Sequence, residues 1–246
     1  MTKIKRLFTD FSLLLRNVPA YLFALLAVAV VCMNLLANKS IDLGVDWLAL
    51  DCGILFSWIC FLVMDIITRR FGVRAGNMLS VGALVINLTV ALLLFAISYI
   101  PGTWSQSYVE GSEGVINASI DATIASSWFV ILGSSVAFIS SAILNNILHF
   151  IINRAFKNHN FVAFSVSSYV STFIAQFVDN LLFALIVSLH FFGWSIVQCL
   201  TCAVTGAVAE LLFEVVFSPI GYRIVKKMED EGVGQAYIDW CKENYK

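Results

Sequence analysis

The stretch Ser167–Leu189, SSYVSTFIAQFVDNLLFALIVSL, decides the fold. It is apolar and long enough to cross a hydrocarbon core of about 30 Å, which takes about 20 helical residues. Yet Asp179 stands well inside it. An acid at the centre of a membrane helix costs about 2.5–3.5 kcal/mol on insertion scales, so such residues face a bundle interior or a watery cavity. The stretch therefore implies several helices packed round a polar centre, and the rest of the chain agrees. Of its 246 residues, 60% are hydrophobic and only 13% are charged, against about 25% in soluble domains. The apolar residues come in long blocks, which reads as an all-α integral membrane protein. A net charge of −1 offers nucleic acid no bulk attraction. The polar ends, Met1–Arg16 and Met228–Lys246, are too short to bury cores of their own, so residues 1–246 are read as one membrane domain. Arg16 and Pro19 interrupt the first apolar run and no small-residue cleavage site follows, so no cleaved signal peptide is expected.

Working outward, the sequence predicts six transmembrane helices, at about 18–37, 47–67, 77–100, 124–152, 161–191 and 194–225. The one long connection, Pro101–Asp121, is rich in Gly, Ser and Thr and carries Glu110, Glu113 and Asp121. Lysine and arginine set the orientation. Lys3, Lys5, Arg6 and Arg16 precede the first span, and Arg69, Arg70 and Arg74 lie between the second and third. Arg154 and Lys157 lie between the fourth and fifth, and Arg223, Lys226, Lys227, Lys242 and Lys246 follow the sixth. Of 15 basic residues only Lys39 falls on the other side, so both termini are expected to be cytoplasmic. Trp47, Trp104, Trp128 and Trp194 sit near the predicted outer ends, where indoles favour the interface.

The informative residues are the polar ones inside these spans. Asp65, Asp179, Glu210 and Glu214 are the intramembrane or near-boundary acids. Four deep charges would cost about 10 kcal/mol, as much as the whole stability of a typical domain, so indifferent placement is not expected. Asp65 and Glu214 fall towards the cytoplasmic end, and Asp179 and Glu210 lie deeper. Helical spacing puts Ser168, Thr172, Gln176 and Asp179 on one stripe, at i, i+4, i+8 and i+11. Ser134, Ser141, Asn145 and His149 form a second stripe, Gly206, Glu210 and Glu214 a third, and Asn34 and Asn38 a short fourth. The economical arrangement turns all four towards one cavity. Competing roles exist for each: Ser and Thr can serve close packing, Asn145 and Asn146 can bond between helices, and Arg69 and Arg70 can be topology determinants. His149, His159 and His190 make no metal-spaced cluster, and neither a metal nor a cofactor is expected. The six cysteines, including Cys199 and Cys202, read as small packing residues.

Three segments resemble the queuosine precursor transporter family, also called vitamin uptake transporters. MDIITRRFGVRAG (Met64–Gly76) is similar to the family's helix-closing Asp, aromatic-Gly pair and Arg, here Asp65, Phe71-Gly72 and Arg74. SSYVSTFIAQFVDNLLF (Ser167–Phe183) is similar to its Ser-rich helix with Gln and Asp, here Gln176 and Asp179. ELLFEVVFSPIGYRI (Glu210–Ile224) is similar to its last helix. Members commonly carry Glu where Arg69 stands and a basic residue near Glu210, so the resemblance suggests an inverted ion pair, Arg69–Glu210, joining the second and last helices.

The resemblance implies import of 7-cyano- or 7-aminomethyl-7-deazaguanine across a bacterial inner membrane. The residues suit such a ligand. A 7-deazaguanine presents adjacent ring N–H and amine donors, and one carboxylate can accept both. Asp179 is expected to read that edge, with Gln176, Asn180, Asp65, Glu210 and Asn145 beside it. Trp58, with Phe56, Phe61, Phe173 and Phe183, could supply aromatic faces or simply pack. Arg69, Glu214 and His149 are candidates for coupling or gating. Partners are then a purine-like small molecule and the lipid bilayer; a homo-oligomer is compatible with the sequence. No catalytic motif such as H-E-x-x-H or G-x-S-x-G is present, so an enzyme is not expected. The competing reading is the substrate-binding membrane subunit of an ATP-driven vitamin importer. The chain has no G-x-x-x-x-G-K-[ST] phosphate loop to hydrolyse ATP by itself.

Overall fold

The computed structural model describes residues 3–41, 44–45, 47–48, 50–104, 113–156 and 160–245. Glu110, Lys157, His159 and Lys246, singled out above, lie outside the described residues. The described chain runs α1 (Lys3–Asn17), α2 (Ala20–Leu36), β1 (Ser40–Ile41), β2 (Leu50–Asp51), α3 (Ile54–Phe71) and α4 (Val73–Ile97). It continues with α5 (Glu113–Ala155), α6 (Phe161–Phe183), a π-helical turn (Ala184–Ser188), α7 (Leu189–Phe191), α8 (Ile196–Asp230) and α9 (Gln235–Asn244).

The protein is an all-α, multi-pass membrane protein. Among the described residues, α4, most of α5, the continuous Phe161–Phe191 helix and α8 are each long and apolar enough to cross a bilayer. α1 and α2 together make a fifth candidate, bent by 108° at Pro19. α2 alone has 17 residues, about 26 Å at 1.5 Å per residue, the short end of what a span needs. α3 has 18 residues and carries three charges, Asp65, Arg69 and Arg70, and it is not among these candidates. The expected second span at 47–67 is therefore a small hairpin followed by a helix. β1 pairs antiparallel with β2, Ser40 opposite Asp51, before α3 starts at Ile54. α5 has 43 residues, about 65 Å, and extends well beyond the span expected at 124–152.

Local signals explain where the helices stop. Gly72 breaks α3 from α4 at φ 90, a backbone conformation that a side chain would resist. Asn160 caps α6 by accepting from Ala163 N at 3.0 Å, and Ser195 with Gln198 forms a capping box on α8. Pro219 sits inside α8 and cannot donate to the Val215 carbonyl. Ser218 Oγ bonds that carbonyl instead, at 3.3 Å, and also meets Tyr169 OH of α6 at 2.7 Å. The orphaned carbonyl is thereby satisfied by a side chain, as an apolar solvent requires.

α6 lies between α5 and α8, and α3 packs against α2, α4, α5 and α8. The core they enclose is built from Leu22, Leu26, Phe61, Met64, Leu79, Phe138 and Phe164. Their outer faces stay apolar: Val85, Leu92, Leu93, Leu212 and Val216 are all exposed. Such patches would be a liability in water and are the lipid face of a membrane bundle.

The two polar ends of the chain pack together, which their separate lengths did not suggest. α1 touches α9. Asp10 of α1 is fully buried, paired with Arg74 Nε of α4 at 2.5 Å and accepting from Tyr245 OH at 2.9 Å. The Arg74 guanidinium lies 3.8 Å from the Tyr245 ring centre. Tyr237 of α9 is buried edge-on against Phe71, and Arg70 Nε donates to Val233 O at 3.0 Å. Removing Arg74 would leave Asp10 buried without its cation. Breaking fully buried pairs costs about 3–5 kcal/mol. Arg74 is itself 40% exposed, so Arg74→Ala is expected to cost about 1–3 kcal/mol after allowing for solvent. A thermal melt in detergent checks this, and faster proteolysis of both termini should accompany the loss.

Candidate functional site

Buried and half-buried polar side chains gather at two levels between α3, α5, α6 and α8. The first lies beside the β-hairpin, around a small cavity. Asp51, Asp179 and Glu210 line it from three different elements, with Asn34, Asn180, Ser57, Ser134 and Phe183. Asp179 accepts from Ser141 Oγ at 2.7 Å through Oδ1. Glu210 accepts from Ser57 Oγ and, at 3.3 Å, from Asn180 Nδ2. Gly206, one turn before Glu210, makes this possible: a Cβ there would sit 2.5 Å from Asn180 Nδ2. Asn34 Oδ1 accepts from Ser134 Oγ. The cavity's open volume is about 30 Å³, room for about two waters and too little for a bicyclic base. Admitting a ligand of that size requires the helices to part. The π-helical turn follows Phe183 directly, and such turns recur at functional sites.

Asp51 sits on the hairpin ahead of α3, outside the spanning helices. Burial pushes its carboxyl up to about 7, against the pull of the Gly53 N–H, which donates at 2.7 Å. A cation favours the ionised form, so attraction at this carboxylate grows as pH rises through that range.

The second level lies towards the Arg69 end of α3. Asp65 accepts from Asn145 Nδ2 at 2.7 Å and from Ser168 Oγ, and His149 Nδ1 approaches it at 3.2 Å. The His149 contact has an ion-pair distance without the alignment of a hydrogen bond. Ser168 Oγ also reaches Glu214 Oε1. All five side chains are fully buried. One hydroxyl proton cannot be donated to two carboxylates at once, so Asp65 and Glu214 are alternative acceptors for Ser168, which ties them together. Thr68 Oγ1 donates to Asn146 Oδ1 at 2.9 Å, and Asn146 Nδ2 donates to Asn77 Oδ1 at 2.8 Å. Asn146 is therefore interhelical glue. Between the two levels, Thr172 and Gln176 are fully buried, and among the described residues neither the Thr172 hydroxyl nor either end of the Gln176 amide has a partner.

Residues 51–224 match the sequence family described as "putative vitamin uptake transporter", and the match covers well over half of the chain. The chain belongs to this family. No curated protein and no solved structure matches it.

In this vitamin uptake family member, the polar stripes lie at two levels rather than round one cavity. Asp179, Asn180 and Glu210 share the first level; Asp65, Asn145, His149 and Glu214 share the second. Gln176 stands between them. Trp58 faces neither: its ring stacks on Phe217 of α8 at 4.4 Å and on Phe213 at 5.5 Å. Of the other aromatics considered, Phe183 lines the cavity, Phe61 belongs to the core and Phe173 is exposed.

The expected Arg69–Glu210 ion pair does not form. Glu210 meets Ser57 near the start of α3, whereas Arg69 is at its end, twelve residues and about 18 Å further on. Arg69 instead borders a cleft with His149, Arg154 and Glu229. Charge signs had suggested complementarity, and axial position along α3 rules it out. Asp51 and Ser57 line this cavity too, and the polar stripes did not include them. Asp51 carried a usable signal, since it is an acid inside a predicted span.

Proposed function

We propose that the chain imports a purine-like vitamin across the bacterial inner membrane by secondary or facilitated transport, with a 7-deazaguanine queuosine precursor as the first candidate. The carrying observation is Asp179. One of its oxygens is held by Ser141, which leaves the other for a donor edge presented in the cavity. Asn180 beside it and the unpartnered Gln176 amide supply further polar groups. Adjacent ring N–H and amine donors match a carboxylate, and charge-assisted pairs of this kind are the strong ones. In this reading six helices span the bilayer, α2 and α3 being the two short ones, with both termini cytoplasmic. The closed cavity opens alternately to either side as helices rock around it. The Asp65–Ser168–Glu214 cluster, with His149, holds the proton that couples to this motion.

The test is uptake of radiolabelled 7-cyano- and 7-aminomethyl-7-deazaguanine into proteoliposomes containing this chain alone. Accumulation or facilitated entry supports the proposal. Binding without uptake would instead assign the chain as the substrate-binding subunit of a multi-part importer.

A further inference from the structure

The acids of the first level point to the charge of the ligand. Asp51, Asp179 and Glu210 line one small cavity, and among the described residues no Lys, Arg or His lines it with them. Among the described residues their hydrogen bonds come from neutral donors: the Gly53 N–H, the Ser141 and Ser57 hydroxyls, and the Asn180 amide. Arg69, the cation that sign reversal had offered to Glu210, is about 18 Å away along α3. In a low-dielectric interior, carboxylates without a cation are costly, and a nearby positive charge offsets that cost.

The acids do not converge as metal ligands. Among the described residues no three His, Cys, Asp or Glu side chains are placed to hold one metal ion. Asp51 is on the hairpin, Asp179 on α6 and Glu210 on α8, so the positive charge they suit is carried by an extended molecule. Asn34 gives a separate indication that something is bound there. It is 1% exposed and lines the cavity, and one end of its amide bonds Ser134 while Nδ2 has no partner. A buried amide end costs free energy unless a ligand or water meets it.

We infer that this cavity is built for an organic cation, a flat polar molecule bearing an ammonium group, with Asp51 and Glu210 receiving the charged arm while Asp179 reads the rest. This rests on the transport reading above and narrows it. Between the two deazaguanines, the aminomethyl compound carries the required charge and the nitrile does not.

The experiment compares affinities of 7-aminomethyl- and 7-cyano-7-deazaguanine for the purified full chain by isothermal titration, in wild type and in Asp51→Asn. Asparagine is isosteric and can still accept from the Gly53 N–H, so the hairpin is retained; a melting curve confirms it. In wild type the amine should bind at least about tenfold more tightly than the nitrile, as one desolvated charge pair would give. In Asp51→Asn that ratio should shrink to under about threefold. A nitrile that binds as well as the amine, or a ratio unchanged by Asp51→Asn, overturns the inference while leaving base transport intact. If neither base binds, the transport reading for deazaguanines fails, and thiamine and biotin become the probes. Binding of cationic thiamine but not biotin, weakened in Asp51→Asn, would uphold the cation site. Absence of thiamine binding as well would overturn it.

Discussion

Asp179→Asn should abolish uptake, by at least about 100-fold, while leaving folded protein in the membrane. Asparagine has nearly the same shape and its oxygen can still accept from Ser141 Oγ, as Asp179 does. What changes is the other side of the group. An oxygen that accepts becomes an amide nitrogen that donates, and on the proposed reading it then faces the two donors of the ligand. Hydrogen bonds to charged groups contribute about 1.5–3 kcal/mol each, so losing two costs about 3–6 kcal/mol. At about 1.4 kcal/mol per tenfold, that spans roughly two to four orders of magnitude. Initial uptake rates in proteoliposomes measure the effect, and elution profile and melting temperature of the variant show that the fold survives. Uptake within about threefold of wild type would remove Asp179 from the site.

Much of this site was legible because a helix imposes its period on whatever it must hide. Ser168, Thr172 and Gln176 are all fully buried, as the i, i+4, i+8 stripe required, and Ser134, Ser141, Asn145 and His149 are buried with them. The stripe spacing says which side chains share a face. It does not say at what height two facing helices meet. The four stripes therefore resolved into two levels, and Arg69 and Glu210, opposite in sign, lie far apart along α3. Asp51 was missed for a different reason. It falls near the outer end of the span expected at 47–67, where acids are cheap. Pairing of Ser40 with Asp51 folds that segment inward against α8, where β2 makes contacts. A two-residue strand pair leaves almost no trace in composition. The packing of α1 on α9 was hidden because each end is too short to bury a core alone. Together, and with the α3–α4 corner, they bury Asp10 and Tyr237.

Asp65 offers the sharpest separation between holding the fold and moving the ligand. Its carboxylate accepts from Asn145 Nδ2 and Ser168 Oγ and sits 3.2 Å from His149 Nδ1. Asp65→Ala would leave Asn145 Nδ2 without its acceptor inside the helical bundle, and Ser168 Oγ with Glu214 alone. Breaking a buried, paired network of this kind costs about 3–5 kcal/mol. The expected result is a large loss of folded protein, read as membrane yield and melting temperature. Asp65→Asn keeps the shape and one accepting oxygen, so the bundle should assemble. It has no ionisable proton, however, so it cannot pass one to Glu214 through Ser168. If that proton couples transport, Asp65→Asn should bind ligand within about threefold of wild type yet transport it at least about tenfold more slowly. The proposed ligand cavity lies at the other level, beside the hairpin, so on that reading binding and coupling are separable. Wild-type uptake by a folded Asp65→Asn protein would mean that the cluster only fastens α3, α5, α6 and α8 together. Equal losses of binding and uptake would place Asp65 in the ligand site itself. Only loss of transport with retained binding identifies the second level as the part of the molecule that turns occupancy into movement.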